Sequence, residues 1–189
     1  MKSLKPWRVL SSTTTYTDKW IHLRSDRCET PDGQIIDAFH VIDSPDWVNV
    51  VALTDDGDVV LIEEYRHGAE AITLGIPGGV CDVSDDKPQI SAARELEEET
   101  GFICRDLVPT GRAFANWADR SNEVHFFLGF GAQPQGQINL DTNEDIIVQL
   151  RPYREFLKYD FEGAKHTHHA AALFYAERYF TNHPDKRPA

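Results

Sequence analysis

The stretch Pro88–Gly101 constrains the fold of this chain more than any other. Proline suits the first turn of a helix, glycine suits its C-terminal cap, and Ala92, Ala93 and Leu96 recur at helical spacing. The sequence therefore predicts one amphipathic helix with a defined start and stop. On its other face Glu95, Glu98 and Glu99 stand at i, i+3 and i+4, which stacks three carboxylates within one turn. Two carboxylates about 4 Å apart repel by roughly 4 kcal/mol at an effective dielectric near 20, so such a face turns to open water or holds a hard cation.

Strand signals surround this helix. A short run from Ile72 to Ile76 stops at Pro77-Gly78-Gly79, where adjacent glycines suggest unusual backbone conformations, and an acidic loop from Asp82 to Asp86 follows. Upstream, Val48–Leu53 and Val59–Glu64 flank Asp55-Asp56-Gly57-Asp58, a turn built on Asp-Gly. Earlier still, Lys19–Leu23 and Ile35–Ile42 are joined through Thr30-Pro31-Asp32-Gly33 as a second hairpin. Val124–Phe130 and Ile146–Leu150 read as later strands, with closing helices near Arg154–Tyr159 and from about His168 to Phe180. Strands, a central helix after a glycine loop, more strands and terminal helices make a mixed α/β layout.

Composition narrows the function. With 189 residues, 41% hydrophobic and 26% charged, the chain suits one globular domain with at most a small appendage. Lys plus Arg total 19 against 31 Asp plus Glu, a formal charge of −12, which argues against nucleic-acid or anionic-membrane partners. An anionic substrate would need metal ions and a few placed arginines. Cys28, Cys81 and Cys104 form no CxxC pair and leave an odd count, so a reducing cytoplasm is expected rather than a disulfide framework. No apolar region follows the basic start, and no run of about 18 apolar residues occurs, so the expectation is a soluble, unexported protein.

From Arg94 onward the run Arg94, Glu95, Leu96, Glu98, Glu99, Gly101, Phe102 resembles the signature of the Nudix hydrolases, G-x5-E-x7-R-E-U-x-E-E-x-G-U, where U is a bulky aliphatic or aromatic residue. Upstream the match loosens: the expected Glu falls on Asp86 and the expected Gly on Val80, one residue past Gly79, as a one-residue insertion would produce. Trp47–Leu53, Glu64-Tyr65-Arg66-His67-Gly68, Ile76–Gly79 and Asn143-Glu144-Asp145-Ile146 further resemble the ADP-ribose and nucleoside diphosphate sugar pyrophosphatases of that superfamily. A proline often found about sixteen residues past the motif glycine in that group is missing from Phe114–Asp119.

The resemblance implies a Nudix fold, a mixed β-sheet sandwiched between helices (α/β/α), in residues 46–189. It also implies a small N-terminal antiparallel β region, residues 1–45, used for homodimer formation and for part of the substrate site. The implied activity is Mg2+-dependent hydrolysis, with Mn2+ substituting, of ADP-ribose or a related nucleoside diphosphate sugar to a nucleoside monophosphate and a sugar phosphate. Glu95, Glu99 and Glu98 become the expected metal ligands, with the carbonyl of Gly78. Glu98 and Glu144 become the catalytic carboxylates, with Asp145 the rival of Glu144, and Arg94 positions the glutamates. Arg66, Trp20 and Gly79 are the expected substrate contacts, and Asp86 caps the helix or reaches metal through water. Trp47 fits base stacking or packing, and His166, His168 and His169 raise a zinc reading that their spacing does not favour. Two alternatives stay open: a housecleaning hydrolase of modified nucleoside triphosphates or dinucleoside polyphosphates, and a non-catalytic Nudix-like sensor that binds ADP-ribose.

Overall fold

The computed structural model describes residues 3–142, 144–158 and 166–188. Its contacts divide it into two units. The first contains the residues through Pro45 together with Phe114–Glu123. Here β1 (Arg8–Thr17), β2 (His22–Glu29) and β3 (Ile35–Asp43) form an antiparallel sheet in chain order. Gly33, at φ +84°, supplies the turn between β2 and β3 that the Asp-Gly pair predicts. Arg24 on β2 ties the strands by donating to Asp43 at 2.8 Å and pairing with the buried Asp26. The loop 115–122 docks beside β3, with Ile42 N–H donating to the Asp119 carbonyl at 2.8 Å and the Asn122 amide to the Pro45 carbonyl at 3.0 Å. Trp7, Val9, Tyr16, Ile35 and Phe39 of this unit remain exposed.

The second unit carries the mixed sheet. Its strands are β4 (Trp47–Leu53), β5 (Asp58–Arg66), β6 (Ala71–Gly75), β7 (Asp106–Phe114), β8 (Glu123–Phe130) and β9 (Ile146–Pro152). The order is β6-β5-β4-β8-β7, with β9 pairing β5. β4 and β8 run parallel, while β5 is antiparallel to β4, β6 and β9. The helices are α1 (Pro88–Thr100), α2 (Tyr153–Phe156) and α3 (Thr167–Asn182). Among the described residues no helix is long and apolar enough to cross a membrane.

Strand alternation builds the sandwich. Val48, Val50 and Ala52 of β4, with Val60 and Phe127, pack on Ala92 and Leu96 of α1. Residues of opposite parity face α3: Phe126 stacks on Tyr175 at 5.1 Å between centroids, and Phe130 meets Phe180 at 6.3 Å. Each fully buried side chain of this kind contributes about 1.5–3 kcal/mol. Gly101 closes α1 at φ +70° and donates to the Glu97 carbonyl at 2.7 Å, as the sequence predicts. The buried stripe differs from expectation in one place: Ala93 is exposed, and Ser91 is buried instead. The expected strand over Lys19–Leu23 begins only at His22, and β1 and β7 were not expected. Tyr159, the end of one expected helix, lies outside the described residues.

Candidate active site

The site forms where the sheet opens. β4 and β5 meet at Leu53 and Val59, and toward Trp47 the neighbour of β4 is the loop after β6 instead. Val50 N–H donates to the Pro77 carbonyl at 3.0 Å and Val48 N–H to the Gly79 carbonyl at 2.9 Å. This pairing leaves Gly78 between two anchored carbonyls, and its own N–H donates to Glu99 Oε2 at 2.8 Å. The glycines serve close approach, because neither has a positive φ, contrary to the conformational reading of the sequence. A Cβ at Gly78 would overlap the Val48 carbonyl and the Asn49 amide, and one at Gly79 would overlap the Glu95 carboxylate.

Helix α1 sets its three glutamates against this loop. Glu99 is only 4% exposed, and burial first, then the charges of Glu95, Glu64 and Glu144, push its carboxyl up to about 8 against the pull of the Gly78 N–H. Burial likewise raises Glu95, opposed by Arg94. Arg94 holds the face together: Nη1 donates to Glu95 at 2.8 Å and to Glu98 at 2.9 Å, and Nη2 donates to the Val80 carbonyl at 3.2 Å. One guanidinium against three carboxylates, one of them buried, leaves an oxygen-rich, under-compensated cluster. That donor set fits a hard divalent cation.

Asp86 does not take the place expected of it. It is exposed, and the capping position before α1 is Lys87, which makes no side-chain cap hydrogen bond. Asp85 turns inward instead, accepting from Ser91 Oγ at 2.7 Å and lying 3.8 Å from Arg94 Nε. Glu144 precedes β9, whose Ile146 pairs with Glu64, and accepts from the Asp141 N–H at 2.9 Å. Its charge adds to the raised state of Glu64, Glu95 and Glu99, which places it within electrostatic reach of them, whereas Asp145 is exposed. Asn143 lies outside the described residues.

A cavity of about 400 Å³ adjoins Gly78, lined by Trp47 and Asn49 of β4, Glu64 and Arg66 of β5, and His166, His168 and His169 at the start of α3, among others. Arg66 Nη2 sits 2.6 Å from Glu64 Oε1. His169 packs against Gly75, where any Cβ would strike its ring, and burial foremost pushes its imidazole down to about 3. The three histidines meet edge to face around His166, at 4.2 and 5.2 Å between centroids. They are wall, and Trp47 joins them through His168 at 6.4 Å. Trp20 belongs to the first unit, 61% exposed with the Lys19 ammonium 4.4 Å from its ring centroid. The structure thus brings Gly78, Gly79, Arg94, Glu95, Glu98, Glu99 and Glu144 together, with Arg66 in the adjoining cavity.

Sequence reasoning missed Glu64, Asp85 and Asn49 at this site. Glu64 stands two residues from Arg66 on one strand, so the period of two was the available signal. Known proteins share this arrangement's sequence. The NUDIX domain model matches residues 44–172, and the model of the nucleoside diphosphate sugar hydrolase N-terminal domain matches residues 7–42. The chain belongs to the Nudix family. As a Nudix protein it is a hydrolase, and the Nudix motif is the α1 face and loop described above. It is 31% identical over 158 residues to a methanol dehydrogenase activator of Bacillus methanolicus, covering 80% of this chain and 82% of that one. It is 29% identical over 128 residues to an ADP-ribose pyrophosphatase of Bacillus subtilis, covering 68% of each. The crystal structure of an ADP compounds hydrolase shares the fold at a TM-score of 0.85 with 22% identity, covering 97% of this chain and 98% of that one.

Proposed function

We propose that this Nudix hydrolase is a divalent-metal-dependent pyrophosphatase that cleaves ADP-ribose or a related nucleoside diphosphate sugar to a nucleoside monophosphate and a sugar phosphate. The observation that carries the reading is the under-compensated carboxylate face of Glu95, Glu98 and the buried Glu99 against the Gly78 loop, beside a cavity large enough for a sugar. The pyrophosphatase relative and the match to the nucleoside diphosphate sugar hydrolase N-terminal domain support the substrate class.

Glu95, Glu99 and Glu98 would hold the metal, with the carbonyl of Gly78. Bound Mg2+, or Mn2+ in its place, supplies Lewis-acid stabilisation of charge on the diphosphate oxygens. Arg94 acts as a positioning residue, fixing Glu95 and Glu98 relative to the loop. Glu144 accepts the proton of the attacking water, with Glu98 the second candidate for that role. The water oxygen bonds to phosphorus, the bond from phosphorus to the bridging oxygen breaks, and each phosphate leaves as a monoester. Arg66 contacts the substrate on the cavity side, Gly79 contacts it beside the Glu95 carboxylate, and Trp20 serves it from the N-terminal region.

Residues 1–45 act as a dimerisation and substrate-covering region and 46–189 as the hydrolase domain, in a cytoplasmic homodimer. Light scattering after size exclusion should give twice the chain mass, and a monomer at micromolar concentration would contradict the dimer. The substrate is tested by resolving products from ADP-ribose, ADP-glucose, GDP-mannose, NADH and nucleoside triphosphates with Mg2+ and Mn2+. ADP-ribose or another diphosphate sugar should give the highest kcat/KM; faster consumption of triphosphates would favour a housecleaning role instead.

A further inference from the structure

Among the described residues that line the cavity beside Gly78, Arg66 is the one arginine, and its charge is already engaged. The Arg66 guanidinium lies 2.6 Å from the carboxylate of Glu64, whose side chain is 11% exposed. Opposite, His169 is packed against Gly75, and its burial favours the neutral ring. Asn49, 5% exposed, adds an amide whose buried Oδ1 has no hydrogen-bond partner among the described residues. The remaining described neighbours include Trp47, Thr73, Gly75 and the imidazoles of His166 and His168, with burial favouring the neutral ring at His166. Among the described residues that line the cavity, Arg66 is the one arginine or lysine, so a phosphate entering there meets a guanidinium already paired with Glu64.

We propose that Glu64 is a specificity-determining residue: by pairing with Arg66 it makes the cavity select an uncharged group flanking the scissile diphosphate and reject one that bears its own phosphate. This deepens the pyrophosphatase reading and rests on it. Neutralising Glu64 frees Arg66 to bind a phosphate bidentately, so discrimination against charged groups falls. Either flanking group, the distal sugar or the nucleoside, fits the same chemistry.

The test uses matched substrates at saturating Mg2+. ADP-ribose is compared with ADP-ribose 1″-phosphate, charged on the distal sugar, and with 2′-phospho-ADP-ribose, charged on the nucleoside. For each preparation of the full chain, the ratio of kcat/KM for the uncharged over the charged substrate is recorded, so the folded fraction cancels. Glu64→Gln should lower one of the two ratios by about tenfold, the one whose phosphate points into the cavity, and Glu64→Ala should move the same ratio in the same direction. The change should vanish in an Arg66→Gln background. Ratios unmoved by both Glu64 substitutions, or a shift that persists without Arg66, would overturn the assignment while leaving the pyrophosphatase reading intact. Wild-type protein that hydrolyses none of the three substrates would overturn the reading, and the specificity role with it.

Discussion

Glu99 is the residue on which chemistry and stability meet. Its carboxyl titrates near 8 in the metal-free fold against about 4.5 in an unfolded chain. A raised folded value favours the protonated form, so the stability it contributes is complete below about pH 4.5 and is lost as pH rises toward 8. Metal-free protein should therefore melt at progressively lower temperature between pH 5 and pH 8, losing a few kcal/mol across that range. Glu99→Gln should flatten the trend, and added Mg2+ should restore the wild-type melting temperature at pH 8. A pH-independent melting curve in chelator would show that Glu99 is not held in a desolvated, proton-favouring site. Arg94 and Asp85 act at the same scale, since their contacts hold the helix face to the loop without needing to touch substrate.

Among the elements, the loop from Ile76 to Cys81 governs the site because it substitutes for β5 along half of β4. Gly78→Ala sets a methyl against the backbone carbonyl of Val48, which cannot rotate away, so the loop must lift. We expect a stability loss of about 1–3 kcal/mol by chemical denaturation, together with a fall in activity of at least about tenfold as the Gly78 N–H withdraws from Glu99. Wild-type stability in that variant would mean the loop does not rest on β4. Helix α1 was legible beforehand because Pro88, Gly101 and Leu96 are local signals that packing obeys. Asp85 was not, because whether it or Asp86 turns inward depends on the path of a loop with an inserted residue. β1 lacks alternation, reading Ser11-Ser12-Thr13-Thr14-Thr15 at its centre, and β7 holds Pro109 and Gly111, tolerable only because it is an edge strand. Glu64 hid in a run that reads simply as strand, since nothing local says that β4 and β5 part there.

At the scale of the whole molecule, the α/β/α sandwich places one acidic helix face and one cavity holding the Arg66–Glu64 ion pair against the same glycine loop. The net charge of −12 adds to the repulsion that an anionic substrate meets at a cluster that already repels itself. Much of the fold class followed from the order of strands and helix, while the cavity, assembled from β4, β5, β6 and α3, is a product of tertiary packing that no single segment encodes. The most direct test of the account is a Mg2+ titration of AMP and ribose 5-phosphate release from ADP-ribose by the wild-type protein and by Glu99→Gln. We expect both products in equal amounts, no release in chelator, saturable activation by Mg2+, and a loss of about a hundredfold or more in Glu99→Gln at every metal concentration. Equal turnover by the two proteins, or wild-type turnover undiminished in chelator, would contradict it.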